Sequence, residues 1–280
     1  MRAATVPNGK STLADFSGPL VLVGAGKMGG AMLEGWIRLG LDPAKLVVLE
    51  PDPSPQLDQL TSRGLQLNPA NAQTAPVLVL AIKPQIADEV VPGLVPWLGR
   101  SSLVISIMAG RTLAGLARVL PKCALVRAMP NLPSAIGHGI TVVVPGSGVT
   151  DETRNIAHRL LAATGAVEWV EEEALLDAVT AVSGSGPAYV FLLAETLAQA
   201  GTKAGLPSDL AARLANATVC GAAALLEHSK LPPDALRENV TSPGGTTAAA
   251  LEILMGEQGL RAILERAVLA ATKRSRELAR

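Results

Sequence analysis

Five short runs of mostly branched apolar residues, PLVLVG (19–24), KLVVLE (45–50), PVLVLAI (76–82), SLVISI (102–107) and CALVRAM (123–129), alternate with amphipathic stretches of helical length. Runs this continuously apolar suit strands covered on both faces, and such strands belong to parallel sheets flanked by helices. The alternation therefore predicts an α/β fold, a parallel sheet with right-handed helical crossovers. TVVVPG (141–146) and a weaker AVEWV (166–170) extend the strand pattern, and beyond them it stops. Helix-period stretches rich in Ala and Leu follow at 172–181, 185–204, 208–229, 247–256 and 259–278. The change divides the chain into a tail over 1–18 that reads as disordered, a sheet domain over 19–170 and an all-helical domain over 171–280.

Two domains suit a chain of 280 residues that is 49% hydrophobic. Its charge balances, 24 basic against 24 acidic side chains, which argues against a nucleic-acid or other polyanionic partner. The first eighteen residues lack the apolar core of a signal peptide, and no uninterrupted apolar run reaches the roughly 18 residues of a membrane span. Cys123 and Cys220 lie far apart in apolar company, and with His138, His158 and His228 they form no metal-ligand spacing. No metal and no membrane are expected, and the compartment is a reducing one, the cytoplasm. The C-terminal helices carry more Leu and Ala than a monomer would leave in water, so a homodimer through that half is expected. The cations of the last turns, Lys273, Arg274, Arg276 and Arg280, suit the negative end of a helix dipole.

VLVGAGKMGGAM places Gly24, Gly26 and Gly29 as G-x-G-x-x-G after the first strand and at the start of a helix. In a Rossmann-type dinucleotide fold such glycines allow a tight turn, the approach of a pyrophosphate and close helix–strand packing. Ala25, Lys27 and Met28 fill the fingerprint. Glu50 ends the second strand 21 residues after Gly29, where an acid can accept hydrogen bonds from the adenosine ribose or simply stand in solvent. Lys83, in AIKPQ with Ala81, follows a strand at the ligand-binding edge of such a sheet. SIMAG (106–110), with Ala109, supplies small residues on which a flat ring can lie, and RAMPNLP (127–133) fixes a further loop at that edge. Inside the helical half, the loop Thr241–Thr247 is crowded with hydroxyls yet contains no Asp, Glu, His, Lys or Cys. It reads either as a helix cap or as part of a binding site.

Taken in order and spacing, GAGKMGGA, AIKP, SIMAG, RAMPNLP, SGSGPAYVF (183–191) and NVTSPGGTT (239–247) resemble the motifs of the pyrroline-5-carboxylate reductase family, over residues 19 to about 275. The resemblance implies an N-terminal Rossmann domain, a helical domain interlocked with a partner subunit, higher oligomers in many members, and reduction of the cyclic imine 1-pyrroline-5-carboxylate to L-proline by NADH or NADPH. It also implies residue roles. Ser242, Gly245 and Thr246 would cradle the substrate carboxylate, and Thr247 would hydrogen-bond the ring nitrogen and relay a proton to it. Glu173 matches an acidic position near the substrate ring, while Asn68 and Asn239 match positions near the nicotinamide cofactor. The glycines and proline of SGSGP suit close approach of another backbone. Where many relatives carry Ser, Thr, Asn or Arg, this chain has EPDPSP, so Glu50 and Asp52 favour NADH, or weak discrimination, over strict NADPH use. Two rivals share the fold pattern: another Rossmann-plus-helical oxidoreductase, and a nucleotide-binding regulatory protein without catalysis.

Overall fold

A computed structural model describes residues 12–279. The chain forms two compact units, one ending at Gly184 and including the residues from Arg274 onward, the other Ser185–Lys273.

The first unit is built on one eight-stranded sheet: β1 (Leu20–Val23), β2 (Leu46–Leu49), β3 (Gln66–Leu67), β4 (Ala75–Leu80), β5 (Leu98–Ser106), β6 (Ala124–Met129), β7 (Gly139–Pro145) and β8 (Gly165–Trp169), in the spatial order β3-β2-β1-β4-β5-β6-β7-β8. Helices α1 (Lys27–Arg38), α2 (Pro55–Thr61), α3 (Ala87–Val90), α4 (Leu113–Val119), α5 (Asp151–Leu161) and α6 (Leu175–Val179) accompany it. Successive residues of each central strand face opposite sides, and both sides are covered. Leu20, Leu22, Val48, Val79, Ile105 and Val126 join one core with Trp36 and Leu160, while Val21, Val23, Leu78, Leu80, Val104 and Leu125 join another with Val91, Leu94 and Leu116. Trp36 is fully buried, a burial worth about 1.5–3 kcal/mol for a large side chain, and its indole N–H donates to the Leu160 carbonyl at 2.8 Å.

The fold class expected from the alternation is the one found, with one reversal: β7 runs antiparallel to β6. The link from Met129 to Gly139 holds only a short 3₁₀ turn, Leu132–Ile136, too little chain for the crossover a parallel return needs. Three other expectations change. β3 is new, a two-residue strand beside β2. Of the segment expected to be a disordered tail, residues 1–11 lie outside the described residues, but residues 12–18 do not behave as a tail. Leu13 and Phe16 are buried, Leu13 N–H donates to the Leu39 carbonyl at 2.8 Å, and Lys45 Nζ donates to the Phe16 carbonyl at 2.6 Å. Two apolar side chains in a polar stretch suffice to anchor it. Finally, residues 171–184 belong with the sheet unit rather than with the helices, because Leu176 of α6 buries itself against Val142 and Val144.

The second unit consists of α7 (Gly186–Lys203), α8 (Ser208–His228), α9 (Pro233–Asn239), α10 (Thr246–Leu254) and most of α11 (Leu260–Leu278). The helix α9, PDALREN, is too short and polar to show a period. α7 packs on α8 through small residues, Gly201 facing Ala211. Among the described residues of this unit only Ala211, Ala215 and Thr272 are buried, while Phe191 is 60% and Ile253 79% exposed and Leu192, Leu225 and Leu269 are likewise open.

Candidate active site

The glycine fingerprint sits where β1 turns into α1. Gly24 has φ 89°, and its N–H donates to the Leu49 carbonyl at 2.9 Å. A Cβ there would lie 2.8 Å from the Ala81 carbonyl oxygen, and one on Gly29 would collide with the Gly24 carbonyl oxygen. Those two glycines are demanded by internal packing. Gly26 is different: no described residue lies within 4 Å of the Cβ it lacks, so the loop is open to an approaching ligand there. Gly26 is also the N-cap of α1, with no side-chain cap and no acid in the first turn, and Lys27 brings a cation to the positive helix end. Cations are disfavoured there by about 0.3–1 kcal/mol unless an anion offsets them. Free N–H groups, an open approach and a lysine fit the pyrophosphate of a dinucleotide.

Along the same edge, the carboxyl ends of the adjacent strands β1, β4 and β5 place Gly24, then Ala81 and Lys83, then Ala109. Lys83 and Ala109 are exposed. Arg111, which the sequence reading did not single out, joins these loops: Nε and Nη2 donate to the Pro84 carbonyl at 3.0 and 2.6 Å, and the guanidinium pairs with Asp88 at 2.6 and 2.9 Å. An arginine five residues past the end of β5, with an acid at 88, was the available signal.

Glu50 does not stand in solvent. Its Oε2 accepts the Ala25 N–H at 2.7 Å and its Oε1 the Asp52 N–H at 3.1 Å. Asn68 clasps its main chain, Oδ1 accepting from Glu50 N–H at 2.9 Å and Nδ2 donating to the Glu50 carbonyl at 2.7 Å.

Glu173, expected near the substrate ring, has two partners within the chain. Its Oε1 accepts from Arg127 Nη1 at 2.7 Å and from the Leu113 N–H, the start of α4, at 2.8 Å. The Arg127 side chain is 7% exposed and that of Glu173 28%. The carboxylate thus neutralises a buried cation and caps the start of α4. Nearby, Thr180–Gly184 forms a single π-helical turn, a feature common at functional sites. A Cβ on Gly184 would lie 2.8 Å from Met129 Cε, a side chain rather than the backbone expected beside SGSGP, and Gly186 faces open space.

In the second unit, the hydroxyl loop turns through Gly244 (φ 68°) into α10, and Gly245 N–H closes on the Ser242 carbonyl at 3.0 Å. The cap reading of its threonines fails. Gly245 is the N-cap, with no side-chain cap and no acid in the first turn. Thr241 spends its hydroxyl on the Arg237 carbonyl at 2.6 Å, but those of Ser242, Thr246 and Thr247 make no hydrogen bond among the described residues. Three free hydroxyls beside an uncapped helix start form an anion-binding arrangement. Asn239 ends α9, just before this loop. The structure therefore gathers the expected residues into two groups, one in each unit.

The chain is 39% identical over 263 residues to a pyrroline-5-carboxylate reductase of Glycine max, covering 92% of this chain and 95% of that one. It belongs to the pyrroline-5-carboxylate reductase family. The family model for pyrroline-5-carboxylate reductase dimerisation matches residues 173–278, and one described as NADP oxidoreductase, coenzyme F420-dependent, matches residues 19–110. A reductase of Synechocystis is also 39% identical, over 92% of this chain and 97% of that one. Among solved structures, a pyrroline-5-carboxylate reductase from Coxiella burnetii superposes with a TM-score of 0.86 at 34% identity, covering 94% of this chain and 99% of that one. The Plasmodium falciparum enzyme, with NADP bound, gives 0.79 at 29%, covering 94% and 98%.

As a pyrroline-5-carboxylate reductase family member the chain is an oxidoreductase using a nicotinamide dinucleotide, and its open helical surface carries the family's means of association into homo-oligomers. That surface also explains why the stretches Leu175–Lys203 and Ser208–His228 are long and apolar enough to cross a membrane.

Proposed function

We propose that the chain reduces 1-pyrroline-5-carboxylate to L-proline, with NADH as the better of its two cofactors. The observation that carries this is the hydroxyl loop, a site for a small anion with no acid or base to do chemistry of its own. The reaction asks for little else: a hydride adds to the imine carbon, a proton ends on the nitrogen, and the C=N bond becomes CH–NH. Orientation supplies most of the acceleration in such a transfer.

Ser242 and Thr246 bind the substrate carboxylate through their hydroxyls and the main-chain N–H groups at the start of α10, and Gly245, having no side chain, leaves the cradle open to it. Thr247 donates its hydroxyl hydrogen bond to the ring nitrogen and passes a proton there. Gly24, Ala25, Gly26, Lys27, Met28 and Gly29 hold the pyrophosphate; Ala81, Lys83 and Ala109 flank the rest of the cofactor. The reduced nicotinamide supplies the hydride. Glu50 receives the ribose hydroxyls, and with Asp52 it repels a 2′-phosphate. Asn239 stays assigned to the cofactor on its place beside the loop. The protein acts as a homodimer through α7–α11, in the cytoplasm, where its unpaired Cys123 and Cys220 remain reduced.

The test is oxidation of NADH and of NADPH by the purified protein with 1-pyrroline-5-carboxylate, scored with proline formed. One proline per cofactor oxidised, and a higher kcat/KM with NADH, is the expected result. Cofactor binding without turnover would instead support a regulatory protein, and turnover only with other imines a different reductase.

A further inference from the structure

Asn68 is, among the described residues, the one non-glycine with a positive φ, 46°. A side chain in that left-handed region persists where its surroundings hold it. Here its own N–H donates to the Val48 carbonyl at 2.9 Å and so continues the ladder between β2 and β3. The side-chain amide then acts as one more strand residue would, meeting both the N–H and the C=O of Glu50. Glu50 lies one residue past β2, where sheet pairing has ended. With its main chain clasped, its carboxylate spans the Ala25 and Asp52 N–H groups, and both oxygens are engaged. A carboxylate held in this way cannot turn aside to admit a phosphate.

We propose that Asn68 is a positioning residue for cofactor choice: it fixes Glu50 against the glycine loop, and the discrimination at the adenosine 2′ position is exerted by Glu50. The inference rests on the reading of Glu50 as the group that meets the ribose. A positioning role also explains why the strained backbone is kept, since glycine would sit there more comfortably but would leave Glu50 unclasped.

Asn68→Gly separates the two contributions, because it keeps the left-handed turn and removes the amide. Dissociation constants of NADH and NADPH are measured by calorimetry on the wild type, Asn68→Gly, Glu50→Ala and the double variant, with amide exchange at Ala25 in the cofactor-free protein. The wild type is expected to bind NADH more tightly. Asn68→Gly should lower that preference by about tenfold and speed exchange at Ala25 by about tenfold, since a loosened group no longer discriminates or protects. In the Glu50→Ala background the same change should leave the preference where it is. Asn68→Ser, which removes the amide without adding charge, should show the same loss, and it carries the test should the glycine variant unfold. A wild type that prefers NADPH overturns the reading of Glu50 and this inference together. A wild type that prefers NADH, with preference and Ala25 exchange unchanged in Asn68→Gly, overturns the inference alone. So does an equal shift in the Glu50→Ala background, which would make Asn68 a direct ligand.

Discussion

Thr247 is a residue whose value lies in what it leaves undone. Its hydroxyl caps nothing and bonds to nothing among the described residues, so removing it should cost chemistry and spare the fold. Thr247→Ala is expected to lower kcat/KM for 1-pyrroline-5-carboxylate by one hydrogen bond's worth, about 1–3 kcal/mol. The dissociation constant of NADH should stay as it was; unchanged turnover and substrate affinity would remove Thr247 from the site. At Glu50 and Asp52 the expectation concerns charge. Glu50→Ser with Asp52→Arg should move the kcat/KM ratio toward NADPH by about tenfold, equivalent to ~1.4 kcal/mol at a partly exposed site. A ratio that does not move would show that this segment does not read the ribose. The glycines were legible because their spacing has one structural meaning; that only Gly26 faces outward was not. The partner of Glu173 was hidden for a related reason. In a run of three glutamates, nothing in sequence shows which one meets an arginine 46 residues away.

Among the elements, Arg127 on β6, the start of α4 and the approach to α6 are tied by that one carboxylate. Removing a partner from a fully buried pair costs ~3–5 kcal/mol, and with Glu173 28% exposed we expect about 2 kcal/mol from Glu173→Ala. Adding Arg127→Met should recover part of the loss, and denaturant titration measures both. At the far edge of the sheet, α5 meets β8 where the Trp169 indole N–H donates to His158 Nδ1 at 3.4 Å and Arg154 lies 4.4 Å over the indole ring. Burial holds His158 below the usual histidine pKa, with Glu168 opposing. The unfolded chain therefore takes up that proton first, so the stability His158 contributes is present above about pH 6.5 and is lost as pH falls toward its folded pKa. Thermal melts from about pH 7.5 to pH 5 should show the decline, and His158→Gln should flatten it. An equal slope in that variant would place the titration elsewhere. The elements themselves were largely readable. Strands covered on both faces announce themselves as unbroken apolar runs, while β3, with two residues, is too short to show a pattern. The reversal of β7 depends on how much chain separates it from β6, which a strand-by-strand reading does not weigh.

Over the whole molecule, the contrast between the units decides behaviour. The sheet unit has two interior cores; the helical unit buries little more than Ala211 and Ala215 and leaves its Leu, Phe and Ile in water. A unit so exposed should not persist alone. Progressive dilution is expected to remove activity and helical circular dichroism together, with light scattering following the loss of the dimer. A stable, active monomer at assay concentration would contradict it. The course of α11 carries a further consequence. It begins in the helical unit, yet from Arg274 it belongs to the sheet unit, where Ser275 bonds to Asp177 at 2.7 Å and the Leu278 carbonyl lies against Gly110. The helical unit is thus an insertion, and the first unit gains its piece of α11 only after the whole of Ser185–Lys273 has been made. The nucleotide-binding half therefore cannot be completed ahead of the half that associates.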